Sequence, residues 1–182
     1  DLISKTEKGQ IGSIEGVKEG CNVLINEIVL NFDNVRYVED LRVKAGEYTL
    51  THGINVASLS VTLAIKLNVD KELIKCISLA GMLHDIGKAK IPKQVLDKPG
   101  KLTPKEYELA KLHAPLGYKI LKEEYQIPNN IIIGVLDHHE RYDGSGYSRG
   151  IEQEQISLLG QIIALADVYD AITSNKSYQV EK

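Results

Sequence analysis

The chain predicts an all-α fold, a helical bundle wrapped around one polar site, and three observations carry that expectation. Apolar residues recur at helical spacing along most of the sequence, and no stretch of useful length alternates as a half-buried strand would. Helix starts are marked by Asp70, by Thr103-Pro104-Lys105-Glu106 and by Pro128. All five histidines stand where a metal site would need them: His52 and His113 alone, His84 beside Asp85, and His138 beside His139.

Each element can be justified in turn. Residues 1–20 carry Gly9, Gly12, Gly16 and Gly20 among Lys and Glu without a sustained period, and are expected to be a flexible or linker segment. From Val23 the pattern turns helical through Leu24 and Ile28, then Val35, Val38 and Leu41, so residues 21–47 are expected to pack on the core. Val56, Leu59, Leu63 and Leu67 mark one face of a helix that opens near Thr51 and His52. Asp70 caps the next, whose face reads Leu73, Ile74, Ile77, Ala80, Gly81 and His84. Gly87, Pro92, Pro99 and Gly100 make residues 87–103 a long loop. The Thr103 to Glu106 capping box then starts a helix with Tyr107, Ala110, His113 and Gly117 on one side. Pro128 opens a short helix through Ile131, Ile132, Val135 and Leu136 to the histidine pair. A polar, glycine-rich loop covers 141–150, and a last helix runs from about Ile156 to Ser174.

Composition narrows the function classes. The 182 residues suit one helical domain, with a single Phe and no Trp, so the core should be aliphatic. A net charge of -3 argues against a broad surface for nucleic acid polymers. Cys21 and Cys76 lie far apart, Cys76 on an apolar helix face reads as a buried thiol, and the setting reads as reducing and cytoplasmic. No run reaches the roughly 18 apolar residues of a membrane span, and no signal peptide is visible. The only methionine is Met82, so the chain reads as a domain excised from a longer protein.

The histidines point to chemistry. Five imidazoles, with Asp85 and with Asp167 set in the apolar run Ile162-Ile163-Ala164-Leu165-Ala166, exceed what one closed tetrahedral zinc takes. Neighbouring helical residues project about 100° apart, so each doublet serves two ions better than one. A carboxylate has two oxygens, and Asp85 can hold one metal with each. Ile163 and Asp167 share a helical stripe, which aims Asp167 at the site. Two divalent ions sharing a bridging group would generate a hydroxide near neutral pH, and a phosphodiester suits such a site. Lys88, one turn beyond His84, could neutralise charge on the phosphate. Mixed nitrogen and oxygen ligation favours iron or manganese.

Met82-Leu83-His84-Asp85-Ile86-Gly87-Lys88 resembles the signature of the HD-domain metal-dependent phosphohydrolases. His138-His139-Glu140-Arg141-Tyr142-Asp143-Gly144-Ser145-Gly146-Tyr147 resembles the loop of their HD-GYP branch, and the likeness extends over roughly residues 48–180. That resemblance implies an HD-domain bundle around a bimetal site over 48–182, truncated at its C-terminal end. It implies a cytoplasmic bacterial cyclic di-GMP phosphodiesterase that releases pGpG and then GMP. Metal ligands would be His52, His84, Asp85, His113, His138, His139 and Asp167. Asp85 and Lys88 would be catalytic, and Lys88, Gly146, Tyr147 and Lys176 would meet the substrate. Partners would be the cyclic dinucleotide, regulatory or diguanylate cyclase domains of the parent protein, and a second copy in a homodimer.

The chain departs from the family pattern in four places. Ser148 stands where the signature has proline, and Tyr48 where some members place an acid for a third metal. Lys176 replaces an arginine and lacks its bidentate fork, and Gln179 stands at a nearby basic position. Two alternatives stay open: a catalytically weak module that binds a cyclic dinucleotide, and a hydrolase of another cyclic dinucleotide or phosphoester.

Overall fold

The aliphatic composition is spent on helix contacts. A computed structural model describes residues 13–31 and 48–174, and every regular element among them is helical. Ile28, Ile77, Leu121, Ile132 and Ile163, drawn from five different helices, are fully buried and meet in one core. Burying such a side chain contributes about 1.5–3 kcal/mol. No helix among the described residues is long and apolar enough to cross a membrane.

Helix α1 spans Ile14–Leu30 and buries Ile14, Cys21 and Ile28. It begins before Val23, so residues 14–20, expected as linker, are helical in spite of Gly16 and Gly20. Tertiary burial of Ile14 and Cys21 overrides the weak propensity of the glycines. Residues 1–12, Val35, Val38, Leu41, Lys176 and Gln179 lie outside the described residues.

Helix α2 (Tyr48–Lys66) packs along α3 (Lys71–Leu83). Leu67, expected on the inner face of α2, falls just beyond its end and is exposed. Asp70 caps α3 as its position suggests, accepting from the backbone N–H groups of Glu72 and Leu73. The expected loop over 87–103 is more ordered than its prolines and glycines imply. A 3-10 turn covers Ile86–Lys90, and a short helix, α4, covers Lys93–Leu96.

Thr103 and Glu106 form the reciprocal cap of α5 (Pro104–Lys111), and Lys98 binds the same glutamate at 2.6 Å. The helix expected to continue through His113 breaks at Leu112, and α6 runs separately from His113 to Glu123. The break turns His113 to the start of a new helix. Helix α7 (Asn129–Asp137) follows Pro128, and α8 (Leu158–Thr173) is capped by the Ser157 hydroxyl. Helix α8 lies against α2 and α7, while α6 sits on α7 and on the 3-10 turn. That arrangement brings the ends of α3, α6 and α7 to one place.

Candidate metal centre

His84 terminates α3 and His138 terminates α7, so each doublet sits where a helix ends. His52 enters from α2, His113 from the first residue of α6, and Asp167 from α8. All seven expected ligands converge. His52, His84 and Asp85 offer atoms within 4.8 Å of one another, and His113, His138 and His139 do the same beside them. Asp85 joins the two groups. Its Oδ2 lies 3.3 Å from His84 Nε2 and 3.7 Å from His52 Nε2, while its Oδ1 lies 3.5 Å from His113 Nε2. Asp167 adds an oxygen 3.1 Å from His52 Nε2.

Gly87 permits this approach. A Cβ there would lie 1.9 Å from the His113 carbonyl oxygen, so only glycine lets the 3-10 turn meet α6 this closely. The turn also corrects the expected place of Lys88. It does not follow His84 along a continuing α-helix, because α3 stops at Leu83. Lys88 instead belongs to the 3-10 turn and bonds Asp85 Oδ2 at 2.5 Å.

Hydrogen bonding fixes the rings. Nδ1 of His84, His113 and His138 each lies 2.7–2.8 Å from the carbonyl three residues earlier, on Gly81, Ala110 and Val135. A carbonyl only accepts, so Nδ1 carries the proton and each Nε2 is left with a lone pair. His113 Nε2 and His138 Nε2 face each other at 3.3 Å, which sets two lone pairs together. His84 Nε2 is buried without a hydrogen-bond partner. Buried bare acceptors are costly, and a cation between them removes the cost. The donor set of imidazole nitrogens and carboxylate oxygens fits a divalent transition metal.

Charge divides the centre. Burial, reinforced by His139 and His84, holds His138 well below the usual imidazole range. Burial also lowers His113 and, with the charge of His113, takes His139 down to about 4. At His52 burial acts the same way, but Asp167 and Asp170 overcome it and raise the ring to about 9. Burial opposes ionisation of Asp85 too, yet the Lys88 ammonium beside it holds its carboxyl well below the usual range.

Several supporting residues carried no role in the sequence reading. Asp170 Oδ2 binds His52 Nδ1 at 2.8 Å, and its other oxygen accepts from Asn55 and Ser174. Its signal was present, because Asp170 follows Asp167 by three residues and shares its helical face. Asp137, fully buried, accepts from Arg149 and from the backbone of Ser157. Glu140 accepts from the backbone N–H groups of Arg149, Gly150 and Ile151. These two acids hold the 141–150 loop, in which Tyr147 stacks on His139 with ring centroids 4.6 Å apart. A Cβ on Gly146 would lie 2.4 Å from the Arg141 nitrogen, so the loop needs glycine there to fold back. Ser148 follows with φ 146°, a value proline cannot adopt.

A family model described as the HD domain matches residues 31–182. The chain belongs to the HD domain family. Over 133 residues this HD domain is 45% identical to a cyclic di-GMP phosphodiesterase of Pseudomonas aeruginosa, covering 73% of the chain and 32% of that protein. A cyclic di-GMP phosphodiesterase of Thermotoga maritima is 40% identical over 139 residues, which are 74% of the chain and 37% of the relative. A 3'3'-cGAMP-specific phosphodiesterase of Vibrio cholerae is 38% identical over 133 residues, 73% and 31% of the two. The chain therefore spans about a third of the length of these curated relatives. Among solved structures, an HDG"Y"P protein of Bdellovibrio bacteriovorus matches with a TM-score of 0.74 at 19% identity. The match covers 95% of this chain and 56% of that one, and it shows a shared fold.

Proposed function

We propose that this HD domain is a metal-dependent phosphodiesterase that hydrolyses cyclic di-GMP to pGpG, with onward cleavage to GMP. The observation that carries the reading is Asp85, whose two oxygens turn to two separate groups of histidines. Names of relatives at 40–45% identity support the substrate. The proposed ligands are His52, His84, Asp85 and Asp167 on one side, and His113, His138, His139 and Asp85 on the other. Iron or manganese is the metal we infer from this nitrogen and oxygen set. Bound there, two divalent ions would supply Lewis acidity, activating water and offsetting phosphodiester charge.

The chain's own residues do the rest. Asp85 spans the two ligand groups and sets their separation. Lys88, held beside Asp85 and one-third exposed, is placed to donate to a phosphate oxygen. Tyr147 walls the His139 side, and Gly146 lets the loop deliver it. Lys176 is assigned to the substrate by resemblance alone. The free thiols of Cys21 and Cys76 support a reducing, cytoplasmic setting. Regulatory or diguanylate cyclase domains in the parent chain, a homodimeric state and a catalytic unit over 48–182 belong to the same proposal.

A second reading has one observation in its favour, the relative specific for 3'3'-cGAMP at 38% identity. Metal analysis with turnover of both dinucleotides tests the two together. Protein loaded anaerobically with ferrous iron or manganese should hold two ions and convert cyclic di-GMP to pGpG. Faster cleavage of 3'3'-cGAMP would favour the second reading. Full metal loading without product from either would refute both.

A further inference from the structure

The phosphodiester has candidate contacts at the metal centre, whereas the nucleobases attached to it have none. Helix α5 supplies two unassigned side chains beside the site. Tyr107 and Lys111 are four residues apart and therefore share one face of the helix. Helix α5 buries none of its residues, so this face is not explained by the core. Tyr107 is 50% exposed, yet its ring meets Tyr147 edge-on with centroids 6.4 Å apart. Tyr147 in turn stacks on His139 at 4.6 Å. Two ring-to-ring steps thus lead from the histidine cluster to the half-exposed ring of Tyr107. The ammonium of Lys111 sits 5.2 Å from the Tyr107 centroid and 5.8 Å from that of Tyr147, and also pairs with Glu108 at 2.7 Å.

An isolated exposed tyrosine needs no explanation. This one ends a continuous row of rings that starts at a metal ligand and carries a cation over its outer two members. We infer that Tyr107 and Lys111 form a nucleobase subsite, in which a purine stacks on Tyr107 and Lys111 donates to its edge. Guanine presents O6 and N7 as acceptors, whereas adenine presents N7 beside an amino donor, so the lysine favours guanine. The subsite rests on the phosphodiesterase reading and deepens it by assigning the part of the substrate that the metals do not see.

The test uses metal-loaded protein in two arms. In steady-state kinetics with cyclic di-GMP, Tyr107→Leu should raise KM about 5-fold to 140-fold, the range expected for losing one base–aromatic stack. It should leave kcat within about 2-fold, because the lost contact is uniform binding remote from phosphorus. Tyr107→Phe keeps the π-face and should behave as the parent. The rate on methyl 4-nitrophenyl phosphate, too small to reach α5, reports whether the metal centre is intact. In the second arm, calorimetry compares GMP with AMP, and Lys111→Met should erase the preference for GMP. An unchanged KM in Tyr107→Leu would overturn the subsite, as would equal losses in the Leu and Phe variants. A parallel loss on the small ester would overturn it too, by showing damage to the centre instead. If the parent cleaves neither cyclic di-GMP nor 3'3'-cGAMP, the phosphodiesterase reading fails separately. GMP affinity in Tyr107→Leu then decides the subsite: a loss supports it and no change refutes it.

Discussion

The two halves of the centre are built differently. The half formed by His52, His84, Asp85 and Asp167 brings carboxylates to imidazoles, and His52 is satisfied by short contacts to Asp167 and to Asp170 behind it. The half formed by His113, His138 and His139 brings imidazole to imidazole, with the Asp85 Oδ1 3.5 Å from His113 Nε2. Protonation follows the same division, since His52 is raised to about 9 while His139 is lowered to about 4. In the acid-rich half His52 can rest as an ion pair, whereas the histidine-rich half sets the lone pairs of His113 and His138 against each other. The difference teaches that similar ligand counts need not give similar dependence on metal.

The shared carboxylate is the place to break this contrast. Asp85→Ala should abolish hydrolysis and lose both ions, with the helical circular dichroism retained, because the core packs through Leu79 and Leu83. Metal content measured alongside the spectrum checks it, and surviving hydrolysis would mean the two halves are independent. Removing metal with a chelator should come next in size. A metal at 1,000 times its dissociation constant stabilises the fold by about 4 kcal/mol, and we expect a fall in Tm that readdition reverses. The loss should concentrate in α6, in α7 and at the end of α3, where the bare acceptors lie.

Smaller changes sharpen the comparison. Lys88→Ala should keep both ions yet reduce kcat/KM, by the roughly 1.5–3 kcal/mol of a hydrogen bond to a charged group. Steady-state kinetics with metal analysis on that variant would expose an idle lysine as unchanged turnover at full occupancy. Asp170→Ala should act on one half only. An outer carboxylate that orients a ligating histidine typically contributes 10–100-fold in metal affinity. Titration should then show one weakened site beside one unaltered site, and equal weakening of both would contradict the division.

Much of the centre was legible in the chain because its ligands are rare residues in conspicuous places. His84-Asp85 and His138-His139 each end an apolar helix, and Asp167 interrupts another. Local signals were equally readable where they are self-contained, as with the cap at Thr103 and the one at Asp70. What escaped was non-local. Asp170 resembles any acid in the last turns of a helix until α2 brings His52 and Asn55 against it. Asp137 and Glu140 gain meaning only when the 141–150 loop returns to them. The break at Leu112 is announced by Pro115, which has no N–H to continue the ladder from α5 and fits only the first turn of a new helix, a signal the periodic pattern masks. Helix α1 hides its start behind glycines that pattern reading treats as linker.

The bonds from His84, His113 and His138 to carbonyls three residues back have a consequence for motion. His84 and His138 are tied to the last turns of α3 and α7, and His113 to the last turn of α5, so fraying of that turn releases the imidazole. Local opening of helix ends is ordinarily among the cheapest fluctuations a protein makes. Here it cannot occur at α3 or α7 without surrendering a candidate ligand. An ion gripped by the rings would therefore slow amide hydrogen exchange in the closing turns of both helices. The helix ends, normally the loosest part of a bundle, become its gauge of occupancy.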